Sequence, residues 1–306
     1  LSGETHAPEK PSGDFRIAHL SDLHLPPLPD IRLTQLASKR LLALTSWHRK
    51  WKREHKPEVL DALLEHLVSV QPDHFCLTGD LTFTTLPEEV DRAADWIARL
   101  GGKDKISLIP GNHDAYVPGA LDYALERWGS WMRDDDGRPG FPYLHRRGPV
   151  NIVGLTSALP TFPGASYGRL GKIQIEKARA LISSIEPEGR PCLLLVHHPP
   201  QEGATRRLRS LVDGENLRGM LKTLHLDLIL HGHLHRPTQS TIDCRDGRVS
   251  TMGAASMSAI GKRRAPAHYH LIHCQTRGQK VSFTIYHHHF DPVTGKFIPG
   301  ERQVVP

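Results

Sequence analysis

Five short runs carry the side chains that could do chemistry. The densest is Leu108-Ile-Pro-Gly-Asn-His-Asp-Ala115, which presents an amide, an imidazole and a carboxylate in succession at Asn112, His113 and Asp114. The others are Asp22-x-His24, Gly79-Asp80, His197-His198 ahead of two prolines, and His233-x-His235 after Gly232. Carboxylate, imidazole and amide without thiolate form a donor set for divalent transition metals. In Asp22-x-His24 and His233-x-His235, alternate residues would point the same way from an extended segment. A lone carboxylate such as Asp80 can bridge two cations and offset their repulsion. Taken singly, an Asp-x-His or Gly-Asp pair reads as a turn or a cap, and Asn112 and Asp114 read as turn formers. Five such runs, each at the end of an apolar segment, read as a site. Either histidine of the 197–198 pair could be its ligand.

The elements that must position these runs alternate along the chain. Apolar strands are expected over 15–20, 73–78, 106–109, 150–155, 192–196 and 226–230, with helices over 57–70, 87–100, 120–132 and 172–185 and shorter ones over 206–212 and 215–224. Pro110-Gly111 ends its strand and turns the chain, placing the polar residues at the strand's C-terminal end, where α/β proteins bind ligands. From 238 onward the period changes, and 238–243, 248–252, 268–274 and 281–287 alternate in the antiparallel manner.

Residues 31–51 show helical spacing through Leu33, Ala37, Leu41, Leu44 and Trp51, with a basic opposite face of Arg32, Lys39, Arg40, Arg49, Lys50, Lys52 and Arg53. This helical insertion, 31–56, suits a cap that selects substrate. The basic face over 31–53 would also suit contact with a membrane surface. Residues 1–14 read as a disordered lead-in, 15–290 as one domain, and 291–306 as a tail wrapped on the surface.

With 306 residues, 38% hydrophobic and 24% charged, the chain can bury a sizeable core as a soluble globular protein. A formal charge of +6 favours anionic substrates, yet is thin for a nucleic-acid-binding domain of this length, so no stable nucleic-acid partner is expected. Cys76, Cys192, Cys244 and Cys274 are widely spaced and read as reduced thiols, which suits a cytoplasmic protein.

The five runs, in this order from Asp22 to His235, closely resemble the sequence blocks of the calcineurin-like metallophosphoesterases. The resemblance implies a four-layer α/β/β/α sandwich of two mixed sheets flanked by helices, with the antiparallel C-terminal half as the second sheet. Carried over, Asp22, His24 and His235 would hold a first metal, Asn112, His197 and His233 a second, and Asp80 would bridge them. The family places its histidine two residues before proline, which favours His197 over His198. His113 would lie over the scissile phosphate as general acid, held and kept protonated by Asp114. The reaction implied is two-metal phosphoester hydrolysis with a metal-bridging hydroxide as nucleophile. Phe83 stands where purple acid phosphatases carry a tyrosine, so Mn²⁺, or Fe²⁺/Zn²⁺, suits the site better than a tyrosinate-bound ferric ion.

By analogy within the family, the substrate would be a small phosphodiester: a cyclic nucleotide, a glycerophosphodiester or a lipid-linked pyrophosphate. A phosphomonoesterase or a nuclease is the alternative within the class. A non-catalytic scaffold on the same fold is the alternative outside it, and the undegraded ligand positions count against that. Among the remaining candidates, His19 and His231 read as structural, the run 287–289 as a solvated strand end, and Arg169 and Arg206 as residues that steer phosphate.

Overall fold

The computed structural model describes residues 14–30, 39–185, 189–277 and 280–305. The expected lead-in, apart from Asp14, which opens the first strand, and the first part of the helical insertion, 31–38, lie outside the described residues. Twelve strands appear among them: β1 (Asp14–Leu20), β2 (His74–Leu77), β3 (Ile106–Leu108), β4 (Tyr143–Arg147), β5 (Val150–Gly154), β6 (Cys192–Leu195), β7 (Leu228–His231), β8 (Thr238–Cys244), β9 (Gly247–Gly253), β10 (His268–Arg277), β11 (Lys280–Asp291) and β12 (Lys296–Val305). They form two six-stranded mixed sheets, β12-β11-β10-β1-β2-β3 and β4-β5-β6-β7-β9-β8.

Alternation along β6 shows how the layers are built. Leu193 and Leu195 join the core shared by the two sheets, together with Ile17, Leu77 and Leu108. Leu194 and Val196 face the other way, onto Ile175, Ala178 and Ile182 of helix Lys172–Ile185 and Leu217 of helix Gly214–Leu221. A strand buried on both faces reads as a continuous apolar run, as this one does. Helix Pro57–Val70 presents Val59, Leu60, Leu63 and Leu67 to the first sheet, with proline at its start and Gln71 ending it at φ 46°. Each such fully buried side chain contributes roughly 1.5–3 kcal/mol.

Two expectations about the C-terminal half need correcting. The antiparallel strands do not make up the second sheet. β8 and β9 complete the sheet of β4–β7, whereas β10–β12 extend the sheet of β1–β3, because the free edge of β1 pairs antiparallel with β10 (His19 opposite His270). The tail is not a surface wrap either. Residues 296–305 form the edge strand β12, with Phe297 and Val305 buried, and Pro299 is tolerated there because an edge strand has no partner on its outer side.

The described part of the insertion is helical but turned differently from the sequence reading. Helix Arg40–Ser46 runs into a stretch of π-helix, Trp47–Trp51, and a last turn, Lys52–Glu54. Ala43 and Trp47 face inward, while Leu41 is 49% exposed. Arg40 sets the rotation by donating to the carbonyls of Thr84 (3.1 Å) and Thr85 (2.7 Å). The far end is stitched down: buried Glu54 accepts from the backbone N–H of Gly261 (3.2 Å) and Arg263 (3.0 Å), and His55 Nδ1 meets Ser258 Oγ at 2.7 Å. Arg49, Lys50, Lys52 and Arg53 stay exposed. All four cysteines are free thiols. No helix among the described residues is long and apolar enough to cross a membrane.

Candidate metal centre

The strand ends bring all seven expected donors together. One nitrogen or oxygen from each of Asp22, His24, Asp80 and His235 lies within 4.8 Å of the others. His235 Nε2 is 3.1 Å from Asp22 Oδ1 and 3.2 Å from His24 Nε2. Beside this group, Asn112 Oδ1 lies 2.8 Å from His233 Nδ1 and 3.2 Å from His197 Nε2. Asp80 Oδ2 stands between the two groups, 3.8 Å from His24 Nε2 and 3.4 Å from His197 Nε2, and is buried without a hydrogen-bond partner.

Convergence does not come from strand alternation. Seven non-glycine residues among those described have positive φ, and five are Asp22 (51°), His24 (39°), Asp80 (54°), His233 (71°) and His235 (52°). A left-handed conformation costs a non-glycine residue of order 1 kcal/mol or more and persists where the surroundings fix it, most often at functional sites. Here the turns fold each donor back over its strand end.

Backbone carbonyls set the imidazole tautomers. His24 Nδ1 donates to Thr82 O (2.9 Å) and His197 Nδ1 to Thr78 O (2.6 Å), so each presents Nε2 to the cluster. This is how ligating histidines are usually oriented. Burial works against charge on His197, but the Asp80 carboxylate beside it prevails and pushes its pKa up to about 9. For Asp80, burial opposes ionisation, and the surrounding His197, His113 and His24 hold it well below the usual carboxylate range. Burial lowers His24 and His233 well below the ordinary imidazole value, keeping them neutral with lone pairs available. An orphaned carboxylate oxygen, neutral imidazoles and an amide oxygen in one place fit a pair of divalent ions.

His198 is drawn away from this cluster. Its Nε2 donates to Ser166 O (3.0 Å), and its Nδ1 lies 2.7 Å from Ser157 Oγ. Although one of its nitrogens lies within 4.8 Å of donors on His197 and His233, both are already engaged. His19 and His231 are buried on protein partners as expected, at Thr78 and His270 for the first and Gly232 for the second.

Asp114 departs from its expected role. Its carboxylate accepts from the backbone N–H groups of Gly111 (2.9 Å), Leu81 (3.0 Å) and Thr82 (3.0 Å) and lies 3.0 Å from the Thr82 hydroxyl. The ring of His113 is held instead by the carbonyl of Phe83, 2.7 Å from Nδ1. The reason is the tight turn from Gly111 to Asp114, which swings the carboxylate under the loop after Asp80. Nor does Asp114 keep His113 charged: burial outweighs Asp80 and the Phe83 carbonyl, and the imidazole titrates below its ordinary value. Burial, with the nearby Asp80, pushes the Asp114 carboxyl itself up to about 7. A second buried carboxylate, Glu89, accepts from the N–H groups of Phe83 (2.8 Å) and Leu86 (3.0 Å), so two acids fix one loop.

A cleft of about 440 Å³ opens over the centre, lined by Asp80, Asn112, His113, His233 and His235. Trp51 and Tyr116 flank His113 at ring distances of 6.0 and 5.4 Å. Lys39, Arg209 and Arg264 supply positive charge to the lining, whereas Arg169 and Arg206, expected to steer phosphate, are not part of it. Lys39 lies in the basic run of the insertion and Trp51 on its apolar face, but Arg209, Arg264 and Tyr116 carried no sequence signal, because the folding of distant loops alone makes them neighbours.

Two mixed sheets flanked by helices, with a His/Asp/Asn cluster at the strand ends, define a metallohydrolase scaffold. The family model for calcineurin-like phosphoesterases matches residues 15–237, and the chain belongs to that family. Among solved structures, a dimetal phosphatase from Danio rerio superposes with a TM-score of 0.61 at 13% identity, covering 95% of this chain and 98% of that one. Vps29 from Chaetomium thermophilum covers 95% of this chain and 97% of its own at 12% identity, with a TM-score of 0.37. At such identities the first likeness speaks to fold alone, and the second carries no argument. No curated protein sequence matches the chain.

Proposed function

We propose that the protein is a dinuclear-metal-dependent phosphodiesterase. Asp22, His24 and His235 would hold one ion, Asn112, His197 and His233 the other, with Asp80 shared and His113 as general acid. The observation that carries this reading is Asp80 Oδ2, buried, without a hydrogen-bond partner and within 3.8 Å of an imidazole from each group. Bound divalent ions, Mn²⁺ or Fe²⁺/Zn²⁺, would neutralise phosphoryl oxygens and acidify water.

The chain's own groups account for the remainder. With Nδ1–H on the Phe83 carbonyl, His113 has Nε2 for the leaving oxygen. Neutral when the site is free, the ring gains its proton as an anionic phosphate binds beside it, then delivers that proton to the departing alkoxide. Burial, and after it the repulsion from Arg209, depresses the pKa of Arg264, so an anion between the two guanidiniums relieves both. Trp51 and Tyr116 offer apolar surface to the organic groups of a diester. The cations favour a substrate with a further negative group, as a lipid-linked pyrophosphate or nucleotide has.

The same three cations would also seat a dianionic monoester, so the two reactions are to be compared directly. Protein reconstituted with Mn²⁺ is expected to hydrolyse bis-p-nitrophenyl phosphate with a higher kcat/KM than p-nitrophenyl phosphate. The reverse order would overturn the choice of diester.

A further inference from the structure

The run 287–289, read from sequence as a solvated strand end, is not one. His288 is buried against His66 of helix Pro57–Val70, and His287 turns to the opposite face of its sheet. There it meets His268 and His270 of β10. The three ring centroids form a nearly equilateral triangle with sides of 4.8, 5.1 and 5.3 Å. One nitrogen from each lies within 4.8 Å of one from the other two, and His268 Nε2 is 3.1 Å from His287 Nδ1.

Two features distinguish this triad from a chance gathering. The first is an orphaned atom: His270 is fully buried, and its Nε2 has no hydrogen-bond partner. Its other nitrogen is tied down, with Nδ1 3.0 Å from Nδ1 of His19, whose Nε2 is 2.9 Å from the Thr78 hydroxyl. If that hydroxyl donates to Leu20 O, it accepts from His19 Nε2–H, and His270 Nδ1–H then donates to His19. The chain leaves a bare lone pair at His270 Nε2, the tautomer that second-sphere partners impose on metal-ligating histidines. Left unpaired, a buried polar atom destabilises the fold. The second feature is register: across the unbroken β10–β11 ladder His270 pairs directly with His287 and His268 with His289, so strand alternation sets all three imidazoles on one face.

We propose that His268, His270 and His287 form a separate divalent-cation site, distinct from the Asp80 centre, that takes a borderline transition ion such as Zn²⁺. An all-imidazole donor set suits Zn²⁺, Co²⁺, Ni²⁺ or Cu²⁺ and is poor for Mg²⁺ or Ca²⁺. Three protein ligands leave a coordination position open, and His287, the least buried of the three, gives access from solvent. Such an ion would pin β11 to β10 beside the point where β10 joins β1.

The test uses the full chain with the Asp80 centre disabled as His24→Gln/Asp80→Asn/His197→Gln, which removes a donor from each half, titrated with Zn²⁺ alone after chelation. The expected result is one tightly bound equivalent and a rise in Tm on its addition. His287→Gln in that background, a change at a partly exposed residue, is expected to lower the affinity at least tenfold and abolish the Tm rise. His66→Gln, which alters a histidine of the opposite face, should leave both unchanged. Failure of the disabled protein to bind Zn²⁺, or equal binding after His287→Gln, would overturn the proposal. If the disabled protein does not fold, wild-type protein and its His287→Gln variant are compared by metal analysis after dialysis against Zn²⁺. A loss of one equivalent supports the site, and equal content overturns it.

Discussion

At the residue scale, His113 and Asp114 are neighbours along the chain but not in what they touch: the first faces the cleft, and the second braces the loop after Asp80. Asp22, His24, Asp80, Asn112, His197, His233 and His235 do gather; their position after apolar strands marked the runs, and the family resemblance picked the residues within them. Asp114 was misread because adjacency to His113 resembles a pair, whereas the turn at Gly111 sends its carboxylate to backbone donors. Two substitutions separate the roles. His113→Ala is expected to lower kcat by ~10²–10⁴ with metal content unchanged. Asp114→Ala strands three backbone N–H groups and is expected to cost about 3 kcal/mol of stability and to weaken metal binding. Metal analysis and denaturation of both variants check the pair. If Asp114→Ala copied His113→Ala, with metal and stability intact, Asp114 would be the partner of His113 after all.

The titrations at this scale have opposite signs. His24, His198 and His233 have folded pKa values below the ordinary imidazole value, chiefly through burial, so their contribution is present above pH ~6.5 and lost as pH falls. His197 is raised to about 9, so its contribution is present below pH ~6.5 and lost as pH rises through about 9. A shift of that size corresponds to about 3 kcal/mol for a fully buried group. Metal-stripped protein is therefore expected to be most stable near pH 6.5 and to weaken toward pH 9. Mn²⁺, competing with the proton for the same nitrogen, should flatten the alkaline limb. Chemical denaturation at several pH values, with and without Mn²⁺, measures this. An alkaline limb unchanged by Mn²⁺ would place the ion elsewhere.

At the scale of elements, the strands were readable from apolar runs, but the turns that aim their ends were not. Gly79 and Gly111 show what those turns demand. A Cβ on Gly79, at φ +91°, would lie 2.4 Å from Gly111 N, and one on Gly111 would lie 2.2 Å from Asp80 Oδ1. Gly79 has only backbone against it, and a Cβ on Gly111 would meet the Asp80 backbone N at 2.5 Å as well as its side chain, so moving a side chain alone cannot make room. Gly111→Ala is expected to displace Asp80 and remove bound metal at little cost to the helices, checked by metal content alongside circular dichroism. The insertion teaches a related point. Helical spacing showed a helix, but its rotation follows from Arg40 on the Thr84 and Thr85 carbonyls and from the wider turn at Trp47–Trp51. Both tryptophans thereby reach Phe83, at 5.2 and 4.9 Å, and Trp51 becomes a wall of the cleft.

At the scale of the whole molecule, the change from strand–helix alternation to antiparallel periodicity gave the class of fold. It could not say which sheet each late strand would join, because that depends on which edges remain open once β1–β7 are placed. β1 offers one such edge, which takes β10 and its meander, and β7 offers another, which takes β9. Both sheets then run their strand ends to one place, where residues more than 200 positions apart, such as His24 and His235, come within 3.2 Å. The central claim is that this place holds two ions sharing Asp80. Crystals grown with Mn²⁺ and measured for anomalous scattering test it most directly. Two peaks are expected, one on each side of the Asp80 carboxylate, the first contacted by Asp22, His24 and His235 and the second by Asn112, His197 and His233. A single peak there, or manganese only at sites away from Asp80, would contradict the account.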